Sequence, residues 1–229
     1  MTKVKKSVEE FNHDAKRIHM IFNDKKLSIF ECKNCEIEDM LSGIQNLGGL
    51  IILFEDGEVF ENQKRIVFIG YSRNIRKRIQ EYFYDRERNA TLKRHVGDSL
   101  LNIEIENGSL TQDFLALWWD YKNEDRLKLG NYREVEERII GEVQNHIKSK
   151  FSFVLLPVRN ATHRRNLAWR LLSTLSHSKI KPSSTWLGNN SSHFEVKESG
   201  LWAMRTYKSR KFMEVKDFEL LEKYMRGEM

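Results

Sequence analysis

The chain has 229 residues, of which 40% are hydrophobic and 31% charged, and its formal net charge is +6. This composition is typical of a globular domain with its own core, and it argues against disordered and fibrous proteins. No apolar run approaches the roughly 20 residues that cross a bilayer, and no signal-peptide pattern follows the N-terminus, so we expect a cytoplasmic protein. The two cysteines, Cys32 and Cys35, lack the second pair of ligands that a structural zinc site needs.

The first part of the chain predicts helices around a β-hairpin. Hydrophobic periodicity predicts a helix over 5–24, a short strand over 27–32 and a helix near 37–46. Two apolar runs, 50–54 and 65–70, predict an antiparallel hairpin, and the Glu-Asp-Gly-Glu stretch at 55–58 supplies its turn signal.

Periodicity predicts a helix over 72–83 with Ser72 as its N-cap, and further helices over 90–101, 132–149, 161–176 and 215–227. The aromatic run 114–119 and the run 151–157 predict strands, and 182–200 is rich in loop residues. The order of these elements predicts an α+β fold, with a small antiparallel or mixed three-stranded sheet flanked by helices.

Charge is distributed in blocks along the chain. Residues 73–94 carry eight bases and three acids, and residues 159–181 carry six bases and no acid. Such blocks favour a surface that faces a polyanion, with nucleic acid as the leading candidate; the alternative is an ordinary solvated surface.

Several segments resemble motifs of the GIY-YIG nuclease superfamily. Gly49-Leu50-Ile51 resembles the first motif, Phe68-Ile69-Gly70 resembles the second, and 75–82 matches the helix pattern that follows them. The segments 91–97, 182–188 and 198–202 are similar to those of a bacterial branch of this superfamily.

The resemblance implies a DNA endonuclease that hydrolyses phosphodiester bonds with a divalent metal, Mg²⁺ or Mn²⁺, in the setting of a bacterial restriction or anti-phage system. It implies DNA as the partner, with a homodimer or a partner protein as further possibilities, and no membrane. It also implies an N-terminal extension over 1–46, a nuclease domain over 47–202 with an insertion at about 102–149, and a C-terminal helical extension over 203–229.

The resemblance assigns roles to individual residues. Arg78 matches the cation that stabilises negative charge on the phosphate, a task that suits a guanidinium. Tyr82 matches the His/Tyr position, and Tyr71, Tyr82 and His95 are the candidates for the general base. The candidate phosphate-binding and DNA-binding residues are Gly49, Gly70, Arg73, Arg76, Lys93, Arg94, Arg164 and Arg165.

Three positions depart from the family pattern. Ile51 and Phe68 replace the two motif tyrosines, and Ala168 stands where the family carries a metal-binding Glu. Because a hard cation needs anionic oxygen ligands, we expect this chain to bind the metal poorly and to be inactive as written. Ala168 is either a deliberate Glu→Ala change or a mark of a degenerate nuclease that is retained as a nucleic-acid-binding or partner-binding subunit.

Overall fold

The computed structural model describes residues 6–24, 30–32, 47–85, 90–120, 130–205 and 207–228. In chain order the elements are α1 (Val8–Asn23), β1 (Phe30–Cys32), β2 (Gly49–Phe60), β3 (Gln63–Ser72), α2 (Ile75–Phe83), α3 (Thr91–Glu106), α4 (Gln112–Trp119), α5 (Tyr132–Lys150), β4 (Phe151–Pro157), α6 (Ala161–His177), a 3-10 turn (Leu187–Asn190), α7 (Phe194–Ser199) and α8 (Val215–Met225). The helix predicted near 37–46 lies outside the described residues.

The strands form one antiparallel sheet in the order β1-β4-β2-β3. The apolar half of β2 is fully buried because it has a strand on each side and helices against the sheet. The predicted α+β class with three antiparallel strands is confirmed, and β1 adds a short fourth strand beside β4. Register pairs Ile51 with Gly70 and Leu50 with Tyr71.

The turn of the hairpin lies later than the sequence predicted. Strand β2 continues through 55–58, and the chain reverses at Glu61 and Asn62, whose φ angles are 47° and 63°. Positive φ at both central residues gives a two-residue turn that matches the twist of the strands. The turn prediction at 55–58 was wrong because Glu55 and Glu58 are bound inside the protein, while Gly57, at φ +90°, takes up a shift in strand register.

The carboxylates of Glu55 and Glu58 anchor the C-terminal part of the chain to β2. Glu55 accepts hydrogen bonds from the indole N–H groups of Trp186 at 2.9 Å and Trp202 at 3.0 Å. Glu58 forms a buried ion pair with Arg65, with Oε2 at 2.6 Å from Nη2. Two of the segments that resemble the bacterial branch, 182–188 and 198–202, are therefore fastened to the sheet by buried carboxylates.

The predicted strand over 114–119 is wrong, because these residues form helix α4. Its apolar side chains pack at helical spacing, with Phe114, Leu117 and Trp118 buried. The Trp118 ring lies 2.1 Å from the point that a Cβ atom on Gly97 would occupy, and its Nε1 donates to the carbonyl oxygen of Arg94 at 2.9 Å. Because Gly97 has no side chain, the Trp118 ring packs directly against the backbone of α3, and this contact positions α4.

The remaining predicted helices and the strand over 151–157 are confirmed, with small shifts at their ends. Helix α2 begins three residues late because Asn74, not Ser72, is its N-cap: the Asn74 side chain accepts from the amide of Lys77 at 3.0 Å. Helices α1 and α8 contribute Ile18 and Phe218 to the same core as the sheet. The predicted domain boundaries at 46 and 203 stay a prediction.

Candidate nucleic-acid groove

A groove of about 490 Å³ opens where β3 ends and where helices α2 and α6 begin. We call it the basic groove, because five bases and one acid line it. The residues that line it are Tyr71, Ser72, Arg73, Asn74, Lys77, Arg78, Glu81, Ala161, Arg164 and Arg165. Five of the residues singled out in the sequence thus lie together in this groove: Tyr71, Arg73, Arg78, Arg164 and Arg165.

The starts of two helices add to the positive field of the groove. Neither α2 nor α6 carries an acid in its first turn, although the positive end of a helix dipole usually attracts one. Asn74 caps α2 and Asn160 caps α6, so their own side chains occupy several of the first free amides. An anion in the groove would therefore be held chiefly by the basic side chains.

Arg78 is held at the wall of the groove by its neighbours. Its guanidinium forms an ion pair with Glu81 at 2.8 Å and lies 5.9 Å from the ring centroid of Tyr82. About a third of the Arg78 side chain remains exposed. The residue is thus oriented but still open to a ligand, as a phosphate-binding arginine must be.

Arg164 forms a wall of the basic groove and is almost fully buried. Its Nη1 donates to the carbonyl oxygen of Val158 at 2.9 Å and covers Gly48, where a Cβ atom would lie 2.3 Å from it. Arg73 and Arg165 are exposed and line the groove, whereas Arg76 is exposed on α2 but does not line it.

Tyr82 packs under the sheet and does not line the groove. Its ring meets that of Phe68 edge to face, with centroids 6.0 Å apart, and its hydroxyl points toward Gly70. Burial raises the pKa of the Tyr82 phenol, so the group keeps its proton and is unsuited to act as a base. Ile51, which pairs with Gly70 across the hairpin, is also fully buried.

Tyr71 is the one base candidate of the sequence that lines the groove, and 42% of it is exposed. His95 is fully buried on α3 against Trp119, and burial together with the nearby His193 lowers its pKa to about 3. A base role for His95 in this groove is therefore inconsistent with its position. Gly49 likewise serves packing, because a Cβ there would meet the carbonyl oxygen of Leu156 at 2.3 Å.

Two predicted DNA-binding bases also lie elsewhere. Lys93 is buried, and its ammonium group donates to the carbonyl oxygen of Asp85. The guanidinium of Arg94 lies 5.4 Å from the Trp119 ring centroid. Neither residue lines the groove, so sequence proximity to a basic block did not indicate a shared surface, and a DNA-binding role for either residue stays a prediction.

Ala168 is fully buried on α6, one turn beyond the groove-lining Arg164 and Arg165. Residues three and four apart share a side of a helix, so Ala168 lies on the same side of α6 as Arg164 and Arg165, but it does not itself line the groove. Lys77 and Glu81 were not singled out as site residues. Whether these two residues line the groove depends on the angle between α2 and α6. The hydrophobic periodicity of the sequence gives no information on that angle.

A family model described as a GIY-YIG domain matches residues 45–228. The chain belongs to the GIY-YIG domain family. The match supports a nuclease-type enzyme in general and a nucleic-acid substrate. No curated protein and no solved structure matches the chain significantly. Within the described ranges, no helix of this GIY-YIG protein is long and apolar enough to cross a membrane.

GIY-YIG nucleases generally use a divalent metal, but the groove of this member does not fit one. Glu81 is the only carboxylate among the lining residues, and it is engaged by Arg78. Among the residues that the structure describes, no group of three or more His, Cys, Asp or Glu side chains is arranged to hold a metal ion. Mg²⁺ prefers anionic oxygens, and Ala168 on α6 offers none.

Proposed function

We propose that the basic groove binds the phosphate backbone of DNA, in a domain built as an endonuclease that lacks a metal ligand as written. The observation that carries this proposal is the meeting of Arg78 with four further bases where α2 and α6 begin. Membership in the GIY-YIG family supports phosphodiester bonds as the target.

The chemistry of the groove suits phosphate binding more than hydrolysis. Arg78 can hold two oxygens of one phosphate, and the exposed Arg73, Lys77 and Arg165 can neutralise neighbouring phosphates. Tyr71 offers the phenol that can donate a hydrogen bond to the bound backbone. With no free carboxylate among the lining residues, we expect binding without efficient cleavage.

Charge reversal in the groove tests the binding step. We expect Arg73→Glu/Lys77→Glu to weaken binding of a labelled duplex, measured by fluorescence anisotropy with EDTA present. Because each neutralised phosphate contributes about 0.9 to the slope of log K against log salt, the slope should fall by roughly 2. Arg133→Glu/Lys150→Glu on α5 is the matched control and should bind as wild type does. Equal binding by both double variants would refute the groove as the DNA site.

Restoring a carboxylate tests the nuclease step. We expect Ala168→Glu to nick supercoiled plasmid in Mg²⁺ or Mn²⁺, whereas Ala168→Gln, of the same size and without charge, should not. Adding Arg78→Ala to Ala168→Glu should abolish the nicking. If the Ala168→Glu variant folds and binds DNA but nicks no faster than wild type, the endonuclease hypothesis is ruled out and the alternative given below remains.

The alternative is a catalytically degenerate member that acts as a nucleic-acid-binding or partner-binding subunit. The burial of Ile51, Phe68 and Tyr82 favours it, because the two motif hydroxyls are missing and the third packs under the sheet. We propose a bacterial restriction or anti-phage system as the setting in both cases. Phage plating on cells that express the chain, or its Arg73→Glu/Lys77→Glu variant, tests that setting.

A further inference from the structure

A second polar cluster lies apart from the basic groove. Among the described residues, five buried side-chain polar atoms lack a hydrogen-bond partner, and four of them belong to Arg94, His95 and His193. The fifth, Nη2 of Arg65, faces Glu58 Oε2 at 2.6 Å and so has an ionic partner. Leaving a buried polar atom unpaired costs about 1 to 3 kcal/mol. Nε2 of His193 has only an ionic contact, 3.8 Å from Asp98 Oδ1, and the other three atoms have no hydrogen-bond partner, so the cluster indicates a missing ligand.

The geometry brings two imidazoles together. The rings of His95 and His193 lie with their centroids 5.8 Å apart, at an interplanar angle of 84°. Trp119 contacts both rings and donates from Nε1 to Asp98 Oδ1 at 2.9 Å. His95 is fully buried, whereas 27% of the His193 side chain is exposed, which gives a small ligand a way in.

The chemistry of the pair suits a transition-metal ion. Both ring nitrogens of the buried His95 lack a hydrogen-bond partner, so a nitrogen lone pair is available to a metal. With a Zn–N bond of about 2 Å on each side, two imidazoles on one ion have centroids roughly 5 to 6 Å apart. The observed separation of 5.8 Å lies within that span.

Charged groups around the pair balance each other. The carboxylate of Asp98 lies 3.8 Å from His193 Nε2 and accepts hydrogen bonds from Ser191 and Ser192 as well as Trp119. The guanidinium of Arg94 lies over the ring of Trp119, beside the two histidines. The negative charge of Asp98 offsets the positive charge of this guanidinium. A water molecule on a bound ion would also give the unpaired Nε of Arg94 an acceptor.

We propose that His95 and His193 bind a Zn²⁺-type ion, with water completing its coordination. Imidazole is a ligand that Zn²⁺, Co²⁺ and Ni²⁺ prefer, while Mg²⁺ prefers oxygen, so this site is distinct from a nuclease metal site. The ion fastens α3, whose first residues resemble the bacterial branch, to the segment that precedes α7.

Metal addition to the EDTA-treated full chain tests the site. We expect Zn²⁺ and Co²⁺ to raise the melting temperature, Co²⁺ to give a visible absorption band that saturates at one ion per chain, and Mg²⁺ to do neither. His193→Gln, at a partly exposed position, should fold and lose both responses, with affinity lowered at least about tenfold. His13→Gln, on the exposed side of α1, is the matched control and should keep them.

Two results would overturn the proposal: no response of the wild-type chain to excess Zn²⁺ or Co²⁺, or equal responses in wild type and His193→Gln. Either result would mean that buried water, and not a metal ion, satisfies these polar atoms. The Arg73→Glu/Lys77→Glu variant should keep the Zn²⁺ response, because the basic groove shares no lining residue with this cluster.

Discussion

The hydroxyl group of Tyr82 lies 2.7 Å from the point that a Cβ atom on Gly70 would occupy. Phe68 Cε1 lies 3.2 Å from the same point, so the helix α2 approaches the sheet through the space that the glycine leaves. In this protein the glycine of the second motif is therefore needed for packing, whatever its role toward a phosphate.

Gly70→Ala should consequently destabilise the fold. We expect a loss of about 1 to 3 kcal/mol in the free energy of unfolding, measured with urea, because the added methyl group forces Tyr82 or the sheet to move. Gly141→Ala in helix α5 is the control, since no heavy atom lies within 4 Å of its Cβ position. That variant should be as stable as wild type or up to about 1 kcal/mol more stable. Tyr82→Phe should restore part of the loss in Gly70→Ala; without such rescue, the close approach is not the cause.

The buried ion pair of Glu58 and Arg65 predicts a strong effect of neutralising one partner. Burial lowers the pKa of the Arg65 guanidinium, and the charge of Glu58 opposes that shift. Glu58→Gln removes the paired charge and leaves Glu55 as the acid that still acts on the buried arginine, so we expect a loss of about 3 to 5 kcal/mol in urea unfolding. Glu137→Gln, which breaks an exposed pair with Arg133, should change stability by less than about 1 kcal/mol. Similar losses in both variants would contradict the assignment.

The buried, hydrogen-bonded ring of His19 leads us to expect that the folded protein loses stability in acid. Its Nε2 accepts from the amide of Ile66 at 3.1 Å and its Nδ1 lies 2.8 Å from the carbonyl oxygen of Ala15, so the folded ring is neutral. Burial lowers its pKa from 6.5 to about 4. The unfolded chain therefore takes up the proton first, and stability that is present above pH 6.5 is lost as the pH falls toward 4, by up to about 1.4 kcal/mol per pH unit.

Unfolding curves between pH 7 and pH 4 measure this effect. His19→Gln should be less stable than wild type at pH 7 but should show a shallower dependence on pH, by about one proton. His13→Gln, at an exposed position, should keep the wild-type dependence. A slope that is the same in all three proteins would show that His19 is not the titrating group.

We expect neutralisation of the Glu81 carboxylate to increase the affinity for DNA. It is the only acid that lines the basic groove, and it pairs with Arg78. Glu81→Gln removes one repelling charge and frees the guanidinium, so we expect binding several-fold tighter at low salt, with a difference that shrinks as salt rises. Glu142→Gln, which carries the same charge change on α5, should leave the affinity unchanged. Weaker binding by Glu81→Gln would mean that the ion pair positions Arg78 for the ligand.

The sequence predicted the elements whose periodicity extends over several turns or a full strand. Helix α5 and strand β4 were predicted to within a residue, because Val135, Ile139 and Val143 keep a helical stripe and 151–157 is uniformly apolar. Helix α4 was missed because six apolar residues suit a strand and a short buried helix equally well; only its seat on Gly97 decides between them.

The site was predictable in part for the same reason. Arg78 lines the groove because its spacing from Ile75 and Ile79 puts it at the border of the apolar face of α2, and its role there stays a prediction. His95 does not reach the groove because it packs against Trp119 of α4, a helix about twenty residues further along the chain that was itself mispredicted. Lys93 does not reach it because its ammonium group is bound to the carbonyl oxygen of Asp85.

The partners of Glu55 and Glu58 have a consequence for synthesis on the ribosome. Ser183, Trp186 and Trp202 follow these carboxylates by 125, 131 and 147 residues. At about 5 to 20 residues per second, the hairpin emerges roughly six to thirty seconds before the side chains that cover it. Until then both acids remain in water, and the nascent sheet must wait for the far end of its own chain before it can close.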